Sequence, residues 1–157
     1  MKAEELLLLA RAHGFHLATA ESCTGGMVGA SITKIPGSSD VYLGGFVTYS
    51  NKAKETLLSV PSSCLEMHGA VSQQTALAMA AGCSASFDDC LAVSITGVAG
   101  PGGGTAAKPV GLVYIATAMG MTHEVKRFLF SGGRDEVRQQ ACEQALASLG
   151  RHILAHL

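Results

Sequence analysis

Phe15-His16-Leu17-Ala18-Thr19-Ala20 leads into Glu21-Ser22-Cys23-Thr24-Gly25-Gly26 and then into Met27-Val28-Gly29-Ala30-Ser31-Ile32-Thr33. The first stretch is a short apolar run bounded by Gly14 and a polar turn, the pattern of a buried strand. The last can form a helix until Pro36-Gly37 stops it. Strand, polar turn, helix is the order in which open α/β sheets mount their ligand-binding loops.

The same order recurs along the chain. Val41 to Ser50 is rich in β-branched and aromatic residues, and Asn51 is placed to cap a helix running through Lys54 and Leu58. An alanine-rich helix follows Ser72 as far as Ala85, and Leu91 to Thr96 reads as a third buried strand. That strand ends in a glycine-rich stretch from Gly97 to Gly104 that forbids regular structure. Val110 to Met119 and His123 to Phe130 form a hairpin across Gly120, too close together for a parallel crossover. Helices at Ala3 to His13 and from Arg134 onward close the ends, the latter with Cys142, Leu146, Leu149 and Ile153 on one face. The expected architecture is one α/β domain over 1–157, a three-layer α/β/α sandwich around a mixed, mostly parallel sheet.

Composition narrows the function. The 157 residues include 48% hydrophobic and only 15% charged side chains, with no tryptophan and a formal charge of −1. That balance excludes a disordered chain and supplies no basic face for nucleic acid. No apolar run approaches the roughly 20 residues of a membrane span. The N-terminus carries acids where a secretory signal carries bases, so no membrane partner and a cytoplasmic location are expected. Five widely spaced cysteines without a Cys-x-x-Cys pair indicate buried, reduced thiols and no metal site.

Three strand ends, at Ser22-Thr24, Tyr49-Ser50 and Thr96-Gly97, can converge on one crevice. Ser22 is placed either to act as a nucleophile, with following backbone N–H groups holding an oxyanion, or to cap the helix near Gly25 with Thr24. The Gly-x-Ser-x-Gly elbow is absent and the six histidines are scattered, so a nucleophilic Ser22 needs another base. Lys54 and Lys52 stand nearest, either as a desolvated base or as ordinary solvated helix lysines. The run to Gly102, Gly103 and Gly104 suits close approach of an anion or a plain surface loop. Lys108, Arg134 and Arg138 are cations for a phosphate or for surface ion pairs.

Taken together, Ala20-Glu21-Ser22-Cys23-Thr24-Gly25-Gly26, Gly45 to Lys54, His68-Gly69-Ala70-Val71-Ser72, Ser94 to Gly103 and Lys108-Pro109-Val110-Gly111 closely resemble the CinA C-terminal domain family. Active members of that family are nicotinamide-nucleotide amidohydrolases. The resemblance implies hydrolysis of the carboxamide of nicotinamide mononucleotide to nicotinic acid mononucleotide and ammonia, without a cofactor. It implies Ser22 as nucleophile, Lys54 as its base and Tyr49 as a group orienting the pair. It raises Tyr49, Thr96 and Arg138 as substrate-positioning groups; Thr24, Gly25, Gly26, Ser50, Gly97, Gly102, Gly103 and Arg134 are expected to bind substrate with them, the glycine loop with Arg138 or Arg134 holding the 5′-phosphate. Larger relatives carry a further N-terminal domain of nucleotide-pyrophosphatase type, whose activity is not expected here, and a homo-oligomer is. A non-catalytic nucleotide-binding module, or an amidase for another phosphorylated metabolite, is the alternative.

Overall fold

The computed structural model describes residues 1–157. Five strands form one sheet in the order β2-β1-β3-β4-β5: β1 Leu17–Glu21, β2 Tyr42–Val47, β3 Leu91–Gly97, β4 Leu112–Met119 and β5 Thr122–Leu129. β1 pairs in parallel with both β2 and β3, while β4 runs antiparallel to β3 and to β5. Four of the five strands therefore point one way, which is the mixed, mostly parallel sheet expected.

Strand alternation sorts the helices into two layers. Leu17, Leu91, Val93, Ile95, Val113 and Ile115 project to one side, where they pack with α1 (Ala3–Ala12), α2 (Met27–Thr33) and α6 (Arg134–Ala155). Each such aliphatic side chain removed from water contributes roughly 1.5–3 kcal/mol. The alternate positions, Ala18, Ala20, Ala92, Ala116 and Ala118, are small. They let α5 (Gln73–Ser86) lie close to the sheet, with α3 (Asn51–Leu58) and α4 (Ser62–His68) beside it. The approach is close enough that Ser94 Oγ donates to the Ala76 carbonyl at 2.6 Å. At Gly82 of α5 a Cβ would run into the Leu58 carbonyl, so the α3–α5 contact requires glycine there.

Several boundaries differ from the sequence reading for local reasons. β1 begins at Leu17 because Gly14, at φ +73°, turns the chain and the Phe15 N–H returns to the Ala10 carbonyl. The α3 cap is Ser50, one residue before Asn51; its backbone is extended and its hydroxyl accepts from the Ala53 N–H at 3.0 Å. The helix α4 has no counterpart in the sequence reading: seven residues, Ser62–His68, bury only Leu65. No helix of the protein is long and apolar enough to cross a membrane.

Candidate active site

Ser22 follows β1 immediately, and its N–H donates to the Ile95 carbonyl at 2.9 Å, extending the β1–β3 pairing by one residue. The turn behind it is held by the residue before it. Glu21 is 1% exposed, and its carboxylate accepts from the N–H groups of Gly26 (3.2 Å), Val28 (2.9 Å) and Gly29 (3.1 Å). These are amides at the start of α2 that a helix leaves without intrahelical partners. A carboxylate is well placed there, at the positive end of the helix dipole. Gly25 and Gly26, at φ +60° and +104°, make the left-handed bend that brings those amides round to Glu21. The α2 N-terminus is thus occupied by the protein's own anion.

Strand alternation sends Ser22 to the side opposite Glu21, toward α3. There Lys54 Nζ lies 3.0 Å from Ser22 Oγ and donates to the Thr48 carbonyl at 2.9 Å. Lys54 is only 1% exposed, and neither of the protein's ion pairs includes it. Burial without a counter-charge pushes its pKa below the usual lysine range, a smaller opposing influence coming from Cys23. A neutral amine donating to the Thr48 carbonyl can turn its lone pair on the serine proton. Lys52 is exposed and points to no such partner. The neighbouring Cys23 is pushed up to about 11 by burial, so its thiol stays protonated near neutrality and is no competing nucleophile.

A cavity of about 310 Å³ opens above this pair, bounded by Tyr49, by Ala70 and Val71, by the stretch Thr96–Gly103, and by Arg134. Thr96 Oγ1 donates to the Ala70 carbonyl at 2.7 Å, joining two of those walls. The N–H groups of Cys23 and Thr24, next to Ser22, donate to no other residue's backbone carbonyl, and neither do those of Ala99, Gly100, Gly102 and Gly103. No group of three or more histidine, cysteine or acidic side chains stands close enough to share a metal ion. A larger cleft of about 470 Å³ lies at the amino-terminal ends of the parallel strands, between Phe15 and Phe87, and holds no comparable pair.

The expected site residues divide between cavity and support. Ser22, Lys54, Tyr49, Thr96, Gly97, Gly102, Gly103 and Arg134 line the cavity. Thr24, Gly25, Gly26, Ser50 and Arg138 do not. Tyr49 makes no hydrogen bond to Ser22 or Lys54; its hydroxyl accepts from Arg134 Nη2 at 3.1 Å, while Arg134 Nη1 donates to the Gly100 carbonyl at 2.8 Å. Arg138, one helical turn further, donates Nε to the Cys23 carbonyl at 3.0 Å and Nη2 to the Thr24 carbonyl at 3.2 Å. Its guanidinium therefore grips the back of the serine turn. Lys108, a further cation considered for phosphate, donates instead to the His68 carbonyl. The sequence reading missed the Glu21 cap, the Thr48 carbonyl and the Ala70-Val71 wall. An acid at a strand end followed by Gly-Gly was a visible sign of the first.

Residues 1–153 match the family model described as the CinA C-terminal domain. The chain belongs to the CinA C-terminal domain family. A "CinA-like protein" of Citrifermentans bemidjiense is 50% identical over 151 residues, covering 96% of this chain and 36% of its own length. A "putative competence-damage inducible protein" of Caldanaerobacter subterraneus is 46% identical over 151 residues, again 96% of this chain and 37% of its own. The chain thus spans little more than a third of these curated relatives. Among solved structures, competence/damage inducible protein CihA from Agrobacterium tumefaciens superposes with a TM-score of 0.88 at 40% identity, covering 99% of this chain and 93% of its own. Competence damage-inducible protein A (ComA) from Klebsiella pneumoniae reaches 0.91 at 35% identity, with 99% of both chains covered.

Proposed function

We propose that this CinA-family chain is a nicotinamide mononucleotide amidohydrolase that works through a Ser22–Lys54 pair. The observation that carries the reading is the 3.0 Å contact between Ser22 Oγ and a buried Lys54 Nζ that has no carboxylate partner. A lysine of that kind is unprotonated more readily than a solvated one, and so serves as the base a serine needs.

In the reaction, Ser22 Oγ attacks the carboxamide carbon as Lys54 takes its proton. The N–H of Cys23, on the cavity wall next to Ser22 and bonded to no other residue, receives the oxyanion. Lys54 returns the proton to the departing nitrogen, ammonia leaves, and an ester joins the nicotinoyl group to Ser22. Water, deprotonated by Lys54, then attacks that ester and releases nicotinic acid mononucleotide and the serine. Protein-bound cofactors have no part in these steps.

The 5′-phosphate is assigned to the glycine loop, whose Gly100, Gly102 and Gly103 N–H groups have no internal acceptor, and to Arg134 beside it. Holding this remote group positions the amide for attack. Arg138 acts as a support for the serine turn: it does not line the cavity, and its Nε and Nη2 hold the Cys23 and Thr24 carbonyls.

The test is to incubate the purified protein with nicotinamide mononucleotide and, separately, with nicotinamide riboside, measuring ammonia and the carboxylate product. The proposal expects release from the nucleotide and a much lower kcat/KM for the riboside. Saturable nucleotide binding without ammonia would overturn it in favour of a binding module, and equal rates on both substrates would remove the phosphate from the account.

A further inference from the structure

Two walls of the cavity come from parts of the chain far apart in sequence: Ala70-Val71, between α4 and α5, and the glycine-rich stretch after β3. The first is gripped by three successive carbonyls. Ala70 accepts from Thr96 Oγ1, Gly69 accepts from both Ser72 Oγ (3.0 Å) and Thr75 Oγ1 (2.7 Å), and His68 accepts from Lys108 Nζ. Thr96, Ser72 and Thr75 belong to the sheet and to the start of α5. Lys108 alone reaches across from the far end of the glycine-rich loop.

Local features favour that contact. His68 ends α4, and a cation at a helix C-terminus meets the negative end of the dipole and a carbonyl lacking an intrahelical donor. Gly69, at φ +77°, has no side chain, and a Cβ there would stand 2.7 Å from Lys108 Nζ. Lys108 is itself fixed by a small turn in which Thr105 N–H donates to the Lys108 carbonyl and Lys108 N–H to Thr105 Oγ1. The ammonium touches neither Ser22 nor Lys54 and does not line the cavity.

We infer that Lys108 is a positioning residue that ties the glycine loop to the C-terminus of α4 and so sets the spacing of the two walls that receive substrate. Its effect falls on binding of the nucleotide and leaves the Ser22–Lys54 chemistry alone; this part rests on the amidohydrolase reading above.

The test compares wild type with Lys108→Met and Lys108→Arg by amide hydrogen exchange and by steady-state kinetics on nicotinamide mononucleotide. In Lys108→Met, the hydrogen-bonded amides of two segments, Gly69 at the first wall and Val98 and Thr105 at the two ends of the glycine loop, should exchange faster while the sheet and α6 keep their protection. KM should rise about tenfold or more, in line with loss of a charge-assisted hydrogen bond, with kcat within about twofold. Lys108→Arg, which can still donate to the His68 carbonyl, should recover most of both. Unchanged exchange in the two segments, or faster exchange spread over the whole molecule, would overturn the tether. Faster local exchange with an unaltered KM would overturn its role in binding. Should wild type release no ammonia at all, the amidohydrolase reading falls, and the exchange pattern still decides whether Lys108 joins the walls.

Discussion

The two strand-to-helix turns that meet at the site are built on opposite principles. The β1–α2 turn, which carries Ser22, is held from both sides by charge: the buried Glu21 carboxylate takes three α2 amides, and the Arg138 guanidinium takes the Cys23 and Thr24 carbonyls. The β2–α3 turn, which brings in Lys54, is capped by its own neutral Ser50 hydroxyl, and the lysine it delivers is buried beside a carbonyl and a serine with no charge to balance it. The difference is functional. A nucleophile needs a fixed position, which charged hydrogen bonds supply. A lysine base needs to lose its proton, and a nearby carboxylate would prevent that.

The largest effect expected from breaking this arrangement is on turnover. Ser22→Ala and Lys54→Ala should each lower kcat for ammonia release by about 10²–10⁴-fold with the circular dichroism of the fold retained. Glu21→Gln comes next, and it separates the turns by stability. It should cost about 1.5–3 kcal/mol in denaturant unfolding, because an amide cannot accept from all three α2 N–H groups. It should also lower kcat, by disturbing Ser22. Ser50→Ala, in the other turn, should cost only about 1 kcal/mol, the usual worth of a neutral N-cap. If Glu21→Gln and Ser50→Ala proved equally mild, the contrast between a charge-held and a self-capped turn would be lost.

The fold was readable wherever one element's own pattern was enough. The glycine-punctuated strand–turn–helix at Phe15–Thr33 and the hairpin across Gly120 each declare themselves locally. α4 did not, because seven residues burying one leucine carry no helical stripe. The site was readable as a set of residue types at strand ends, and three strand ends do meet at the cavity. Their division of labour was not, since it depends on contacts made across the chain. Arg138 and Arg134 are one turn apart on α6, and the family resemblance favoured Arg138 as the substrate-positioning one, whereas Arg134 is the one that lines the cavity. Only the packing of α6 sends one to carbonyls 114 and 115 residues away and the other to the cavity. Lys108 likewise resembled a phosphate ligand until its reach to His68 was visible.

Burial also ties Lys54 to pH. Because its pKa is lowered in the fold, the unfolded chain holds a proton that the folded chain lacks between that lowered pKa and the ordinary value near 10.5. Across that window stability rises with pH, and it is lost as pH falls through the folded-state pKa. Wild type should therefore gain stability relative to Lys54→Met as the pH is raised from neutral toward 10. Parallel curves for the two proteins would mean that Lys54 keeps its proton.

The pairing of a fixed serine with an uncompensated lysine is tested most directly by ammonia release from nicotinamide mononucleotide, measured from pH 6 to 10 in wild type and Lys54→Arg. The wild-type rate should rise with pH to a plateau through a pKa below the usual lysine value, since only the neutral amine accepts the Ser22 proton. Lys54→Arg, permanently charged, should be inactive throughout. A Lys54→Arg variant that turns over at the wild-type rate, or a wild-type rate indifferent to pH, would contradict the account.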